Sequence, residues 1–265
     1  MANPTDYDNA DFIPGGPGYF ARWQADADAF RAAREGDRLD LPYGDHPREA
    51  FDLFLPASAP EGLFVFIHGG FWRLGHRDGW SQFAAGALAR HWAVALPSYP
   101  LCPEVRIADI TRSIARALPA MAAEVAGPII VTGHSAGGHL SLRMLDPAVG
   151  LPSAVTERVA AVLSISPLSD LAPLQEMPMN ADLRIDATEA AAESPVHQPE
   201  PAVPVLIEVG ANERPAFIDQ ARWMAGAWPR ANLTIVDGTH HFDVIDALRY
   251  PDSAMMQRLF ARLEA

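Results

Sequence analysis

Cysteine is almost missing from this chain of 265 residues. Cys102 is the only one, so no disulfide can form within the chain, and a disulfide-bonded secreted scaffold is excluded. Long hydrophobic runs are missing as well, because the longest have the length of a buried strand and are far too short to span a membrane. The opening sequence, MANPTDYDNADF, lacks the basic and apolar regions of a signal peptide. We therefore expect a cytoplasmic protein without a membrane partner.

Basic side chains are also in short supply. Lysine and arginine number 20 against 33 acidic residues, which gives a formal net charge of −13. Nucleic acids and anionic membrane surfaces require a basic patch on their protein partners, so neither is expected to bind. Apolar residues make up 49% of the chain, enough for one large core. We expect a single domain over 1–265, with an arm and a helix in 1–35.

Apolar β-branched runs alternate with segments of helical periodicity along most of the chain. This alternation predicts a mostly parallel sheet with helices on both faces, preceded by a half-exposed antiparallel hairpin at the edge. The proline-rich and acidic segment 167–202 interrupts the alternation, and such excursions usually form a pocket or lid over the sheet. The expected strands are 38–42, 50–55, 62–67, 92–96, 129–131, 159–166, 203–209 and 233–236; the expected helices are 19–34, 79–90, 103–125, the segment after Ser135, 215–228, 242–250 and 253–263.

The segment GHSAG lies where one of these strands meets the next helix. Ser135 is at the apex of the turn, and the small residues Gly133 and Gly137 allow the chain to bend sharply around it. A serine in this position projects above the sheet edge, with the N-terminus of a helix directly behind it. The pattern alone is loose, but between a buried strand and an amphipathic helix it predicts that Ser135 is a nucleophile.

A serine nucleophile needs a base and a carboxylate that orients the base. In a sheet of this kind the order along the chain is serine, acid, histidine, each in a loop that follows a strand. Glu213 follows the strand 203–209, and both His240 and His241 follow the last strand. The sequence therefore predicts a Ser135, Glu213 and His240 or His241 triad.

The segment HGGFW at 68–72 follows an early strand and predicts an oxyanion hole. Consecutive glycines allow backbone N–H groups to approach a ligand closely, so we assign this role to the N–H groups of Gly70, Phe71 and Ala136, with His68 bracing the loop. Trp72, Tyr99 and His134 are candidates for the substrate pocket, and the alternative for each is a structural role in the core.

A metal site was also considered, because Gly238, Thr239 and His240 match part of a metal-binding motif, H-x-G-T-H-x-D. Val236 and Phe242 occupy the positions where that motif requires a histidine and an aspartate. Two of three ligands are lost, so we expect no metal and no other cofactor.

Several segments together resemble the serine hydrolases of the α/β-hydrolase fold, in particular the kynurenine formamidase (arylformamidase) branch and the neighbouring hormone-sensitive-lipase-like esterases. They are Tyr43-Gly44 before the strand at 51–53, HGGFW at 68–72, SYPLCPE at 98–104, GHSAGGHL at 133–140, SPLSDLAPL at 166–174, VGANERPAF at 209–217 and HHFDVI at 240–245.

The resemblance implies an α/β-hydrolase fold and settles two choices left open above. It places the acid on Glu213 rather than Asn212, and the base on His241 rather than His240, with Asp237 and Asn212 as fallback orienting residues. It also implies an aryl formamide substrate such as N-formylkynurenine. The main alternative is a carboxylesterase for short-chain or aryl esters, and the remote one is a non-catalytic binding module. The partner is thus a small acyl amide or ester; a homodimer is left open.

Overall fold

The computed structural model describes residues 3–263, so residues 1–2 and 264–265 of the expected domain lie outside the described residues. Its centre is an eight-stranded sheet with the order β1-β2-β4-β3-β5-β6-β7-β8. The strand β2 pairs antiparallel with both β1 and β4, and the other neighbours are parallel. The strands are β1 (Arg38–Pro42), β2 (Ala50–Phe54), β3 (Leu63–Ile67), β4 (Ala93–Pro97), β5 (Ile129–His134), β6 (Val159–Ile165), β7 (Val205–Gly210) and β8 (Asn232–Val236).

Helices fill the connections between these strands. The α-helices are α1 (Tyr19–Ala32), α2 (Ala85–Ala89), α3 (Ile107–Glu124), α4 (Ala136–Arg143), α5 (Ser153–Thr156), α6 (Asn180–Leu183), α7 (Ala187–Glu193), α8 (Pro215–Ala227) and α9 (Ala254–Phe260). The tighter 3₁₀ geometry occurs at Gly16–Gly18, Arg77–Ala84, Pro147–Val149, Ala172–Glu176, Pro195–His197 and Val244–Arg249. Two segments expected as α-helices, 79–90 and 242–250, are thus largely 3₁₀. None of the described helices has the length and apolar character that crossing a bilayer requires.

Alternate side chains of the sheet enter two separate hydrophobic cores, one on each face. In β3, Leu63, Val65 and Ile67 belong to one core, and Phe64 and Phe66 belong to the other. Helices α3, α4 and α8 contribute to the first core, while α1, α2, α9 and the 3₁₀ segment Arg77–Ala84 contribute to the second. This arrangement confirms the predicted fold class.

The predicted exposure of the antiparallel edge is wrong for one of its two strands. All five residues of β2 are buried. This strand lies between β1 and β4, so β1 alone forms the antiparallel edge of the sheet. Even the carboxylate of Asp52 is enclosed, where the guanidinium groups of Arg31 and Arg77 pair with it at 2.5 and 3.0 Å. The alternation of apolar and polar residues in β2 therefore reflects a buried ion pair rather than a solvated face.

Candidate active site

Ser135 occupies a strained turn between β5 and α4. Its backbone has φ 56° and ψ −117°, a conformation that is costly for a residue with a side chain. A Cβ atom on Gly137 would lie 1.9 Å from the carbonyl oxygen of Ile67, and one on Gly133 would lie 2.0 Å from the carbonyl oxygen of Gly137. Only glycine fits at these two positions, as the sequence predicts, and their close packing holds the serine at the carboxyl end of β5.

Glu213 and His241 meet at the same end of the sheet, although 28 positions separate them in the chain. The imidazole Nδ1 donates to Oε2 of Glu213 over 2.6 Å, and both side chains are buried. The other carboxylate oxygen, Oε1, accepts from the Ser166 hydroxyl at 2.5 Å and from the Gly210 backbone N–H at 2.8 Å. These two bonds fix the carboxylate and leave Oε2 to orient the imidazole.

Ser135 and His241 line one cavity of about 440 Å³. Within residues 3–263, neither Oγ of Ser135 nor Nε2 of His241 makes a hydrogen bond to another protein group. Hydrogen bonds between a nucleophile and its base are often completed only when a substrate binds, so this geometry is compatible with a serine–histidine pair.

The predicted oxyanion loop packs directly against the serine. A Cβ atom on Gly69 would lie 3.2 Å from Cβ of Ser135, and Gly70 and Phe71 follow with φ values of 113° and 50°. Among the described residues, no acceptor takes the backbone N–H of Gly70 or Phe71. The N–H of Ala136 is the first of α4 and therefore lacks a partner within its helix. These N–H groups belong to the loop beside Ser135 and to the first residue of α4, the positions from which the sequence predicts an oxyanion hole.

His68 braces this loop, in the role expected from the sequence. Its Nδ1 donates to the carbonyl oxygen of Gly69 over 2.7 Å, and its ring stacks on Tyr99 with 4.4 Å between centroids. Burial lowers the pKa of His68 to about 3, which keeps the ring neutral at physiological pH.

His134, which directly precedes Ser135, contacts His241. Its Nε2 donates to the backbone carbonyl oxygen of His241 over 2.8 Å, and the two rings lie 4.6 Å apart. Burial, followed by the charge of the neighbouring His241, lowers the pKa of His134 well below its usual range. A permanently neutral ring thus holds the loop that carries His241, and the same ring lines the cavity, where the sequence placed it.

Two of the predicted pocket residues lie elsewhere. Trp72 is fully buried against the ring of His139, 5.1 Å away, and Tyr99 is fully buried with its hydroxyl donating to the carbonyl oxygen of His68 over 2.8 Å. Neither contributes to the cavity wall. The loop directs Phe71 into the cavity and Trp72 into the core, so the assignment of Trp72 and Tyr99 to the pocket is corrected to a structural role.

The alternative orienting residues and the alternative base also lie away from the cavity. Asn212 and Asp237 have exposed side chains, whereas Glu213 contacts the imidazole. The ring of His240 faces Tyr19, whose hydroxyl lies 3.1 Å from its Nε2. The structure therefore brings Glu213 and His241 into contact at the cavity that Ser135 lines, and Asn212, Asp237 and His240 do not line that cavity.

Several residues of the cavity were not anticipated. The N-terminal arm, residues 3–18, supplies part of the wall, and α1 and the segment Arg77–Ala84 supply aromatic rings. Ser166 was missed as a partner of Glu213, although it is the last residue of a predicted strand. The segment 167–202, from which a pocket or lid was expected, contributes Pro178 and Met179. The unanticipated lining residues are Pro4, Tyr7, Asp8, Asn9, Ala10, Phe20, Trp23, Arg73, Leu74, Trp80 and Phe242.

A family model for the alpha/beta hydrolase fold matches residues 64–202, about half of the chain. The chain belongs to the α/β-hydrolase fold family. The match begins in β3 and includes the serine turn, the oxyanion loop and the excursion over the sheet. Within residues 3–263 of this α/β hydrolase, no three His, Cys, Asp or Glu side chains are arranged to hold a metal ion.

Relatives of this α/β hydrolase are enzymes with small-molecule substrates. Kynurenine formamidase of Danio rerio is 26% identical over 227 residues, covering 79% of this chain and 76% of the relative. Kynurenine formamidase of Drosophila melanogaster is 24% identical over 241 residues, which cover 83% of this chain and 80% of the relative.

Solved structures show the same fold. A candidate thioesterase from Silicibacter sp. has a TM-score of 0.94 and 49% identity, and the match covers 96% of this chain and 97% of that one. An inhibited esterase B from Lactobacillus rhamnosis has a TM-score of 0.68 at 17% identity, and the match covers 94% of this chain and 92% of that one. This similarity shows the fold alone. The chain is therefore a hydrolase of this fold.

Proposed function

We propose that the protein is a serine hydrolase whose triad is Ser135, His241 and Glu213 and whose substrate is an aryl formamide of the N-formylkynurenine type. The observation that carries the proposal is the 2.6 Å hydrogen bond between Glu213 and His241 at the cavity that Ser135 lines. An enclosed carboxylate, an imidazole and a serine on a strained turn are the groups that acyl transfer requires.

The reaction proceeds in two steps. Nε2 of His241 removes the proton of Ser135 as Oγ attacks the carbonyl carbon, and the negative charge on the carbonyl oxygen is stabilised by the N–H groups of Gly70, Phe71 and Ala136. The imidazolium then protonates the leaving amine. Water, activated by the same imidazole, attacks the formyl-enzyme and releases formate. Throughout, Glu213 holds Nδ1–H and stabilises the imidazolium.

The choice of an aryl formamide rests on the cavity and on the relatives. Six aromatic side chains line the wall: Tyr7, Phe20, Trp23, Phe71, Trp80 and Phe242. A volume of about 440 Å³ is suited to a ligand with one substituted ring. The two kynurenine formamidases match more than three quarters of their own length to this chain, which favours the same substrate class.

Ester or thioester hydrolysis is the second candidate. It is favoured by the candidate thioesterase from Silicibacter sp., whose 49% identity exceeds that of the formamidases. The same residues would serve in the same roles, because an acyl-enzyme forms from an amide, an ester or a thioester alike. The leaving group alone distinguishes the candidates.

Steady-state turnover decides between them. We expect kcat/KM for N-formylkynurenine to exceed that for p-nitrophenyl acetate and for a short acyl thioester, and all activity to disappear in Ser135→Ala. An enzyme fast on the ester or thioester and inert on the formamide would reject the formamidase assignment. A protein that no fluorophosphonate labels would instead be a binding module.

A further inference from the structure

The carboxamide of Asn9 is buried in the wall of the cavity without a partner. The residue is 3% exposed, and neither Nδ2 nor Oδ1 makes a hydrogen bond to any group in residues 3–263. Buried amides in folded proteins are nearly always paired, because desolvation of an unpaired one costs free energy. An exception in a residue that lines a ligand cavity calls for a partner from the ligand.

Two other polar side chains of the cavity wall have protein partners for some of their atoms, although Nε of Arg73 and Nδ1 of His134 are also buried without a partner among the described residues. Arg73 pairs with Asp182 at 2.6 Å, and His134 donates to the carbonyl oxygen of His241. Gln82 resembles Asn9, since both atoms of its buried amide lack partners among the described residues, but Gln82 does not line the cavity. Asn9 thus combines a carboxamide that is unpaired at both of its polar atoms with a position in the wall of the cavity that Ser135 also lines.

The N-terminal arm holds Asn9 in place from both sides. Before it, the hydroxyl of Tyr7 accepts from Nε2 of Gln220 over 2.9 Å, and the Tyr7 ring packs edge-on against Phe217. After it, the N–H of Ile13 donates to the carbonyl oxygen of Asn9 over 3.0 Å. A carboxamide carried on an anchored segment is pre-organised, so a ligand gains its hydrogen bond without ordering the arm.

From these contacts we infer that Asn9 is a specificity-determining residue that hydrogen-bonds an uncharged polar substituent, a carbonyl in the first instance, on the substrate's aromatic body. This inference rests on the proposed function for the site and adds to it the part of the substrate that is recognised. A neutral amide donates to a ketone or amide oxygen from Nδ2, while the aromatic wall holds the ring. A substrate that lacks the substituent leaves the amide unpaired and is discriminated against.

The test compares pairs of substrates that differ by one acetyl group. The formamide pair is formanilide and 2-formamidoacetophenone, and the ester pair is phenyl acetate and 2-acetylphenyl acetate. For each pair we divide kcat/KM of the acetyl compound by kcat/KM of the compound without the acetyl group. Comparing this ratio between the parent and each variant cancels the intrinsic reactivity of the acetyl compound. We expect this ratio to fall about 10-fold in Asn9→Leu and in Asn9→Asp, since neither side chain donates a hydrogen bond.

Gln82→Leu is the matched control, because it removes a similar unpaired amide outside the cavity; its ratio should equal that of the parent. A ratio unchanged within about 2-fold in both Asn9 variants, or an equal fall in Gln82→Leu, would overturn the inference. If Asn9 had a merely structural role, its replacement would lower kcat/KM for both substrates of a pair by the same factor and leave the ratio constant.

Failure of the proposed function can be told apart from failure of this inference. Fluorophosphonate labelling of the parent and the Asn9 variants reports on Ser135 directly. If the parent turns over none of the four compounds, calorimetry of their binding to Ser135→Ala, with and without the Asn9 substitutions, gives the corresponding ratio of binding constants. A ratio of binding constants that does not change with the Asn9 substitutions overturns the inference.

Discussion

The Nε2 atom of His134 lies 2.8 Å from the backbone carbonyl oxygen of His241, so the residue before the proposed nucleophile is hydrogen-bonded to the residue proposed as its base. The last residue of β5 and the loop that follows β8 are thereby held at a fixed separation. Because the His134 ring is neutral, the bond persists over the pH range in which His241 would work.

Replacement of His134 should therefore lower turnover without removing a reacting group. In His134→Phe the donor is lost while the ring remains, and we expect kcat to fall about 10- to 100-fold because the imidazole of His241 is less well oriented. His134→Gln keeps an N–H donor and should retain more activity. Equal losses in the two variants, measured by steady-state kinetics, would show that packing rather than the hydrogen bond matters.

Loss of the Glu213 carboxylate should lower kcat more than loss of a hydrogen bond that holds the carboxylate in place. Glu213→Gln removes the charge that stabilises the imidazolium, and we expect kcat to fall about 10²- to 10⁴-fold with little change in KM. Ser166→Ala removes one bond to Oε1 but leaves the Gly210 N–H in place, so its effect should stay within about 10-fold. A larger loss in Ser166→Ala than in Glu213→Gln would contradict these roles.

The two adjacent histidines provide an internal control. His241→Ala should cost at least about 10³-fold in kcat, as should Ser135→Ala, with thermal unfolding nearly unchanged. His240→Ala removes a contact with Tyr19 outside the cavity and should cost far less. If kinetics ranked His240→Ala as the more damaging change, the base would be misassigned by one residue.

Gly137 should be irreplaceable for a reason independent of catalysis. In Gly137→Ala the new methyl group meets the carbonyl oxygen of Ile67 at 1.9 Å, so we expect the free energy of unfolding to fall by about 3 kcal/mol or more. Gly226, in α8, has open space around it, so Gly226→Ala should raise the free energy of unfolding by about 0.5–1 kcal/mol. Denaturant titration of both variants gives the comparison.

Buried histidines should make the fold sensitive to acid. Burial lowers the pKa of His139 to about 3, whereas the unfolded chain has about 6.5. Between these values the unfolded state binds more protons, so stability is retained above about pH 6.5 and is lost as the pH falls toward 3. His139 alone accounts for about 2 kcal/mol of loss between pH 7 and pH 5.

His139→Gln removes this titration and keeps an N–H donor for the carbonyl oxygen of Glu193, which His139 contacts at 2.7 Å. The variant should lose less unfolding free energy than the parent between pH 7 and pH 5, measured in denaturant at both values. The same loss in parent and variant would assign the acid sensitivity to other groups.

Periodicity predicted the strands of the sheet, the GHSAG turn and the order of residues after the strands predicted the candidate triad, and the family resemblance selected Glu213 and His241 within it. Strands of parallel sheets end at one edge, so loops after β5, β7 and β8 bring Ser135, Glu213 and His241 close whatever the intervening residues are. The strained geometry of Ser135 was likewise implied by the two flanking glycines.

The cavity wall could not be predicted in the same way. Tyr7 and Asn9 belong to an arm without periodicity, and their position depends on contacts with α8, more than 200 residues later. Trp72 and Tyr99 were aromatic candidates for the pocket, but three consecutive residues of the HGGFW loop, Gly70, Phe71 and Trp72, have positive φ, and in this conformation Phe71 lines the cavity while Trp72 is buried in the core. Backbone conformation of this kind leaves little trace in one sequence.

The arm's position beside the serine divides the molecule into parts that can change separately. The sheet and its three loops carry the proposed chemistry, whereas the arm lines the cavity and meets the loop after β7 where Nε of Arg214 donates to the carbonyl oxygen of Asp8. Exchanging the arm between related hydrolases would then transfer substrate preference between scaffolds while leaving the bond-breaking step intact, a route by which one framework acquires new specificities.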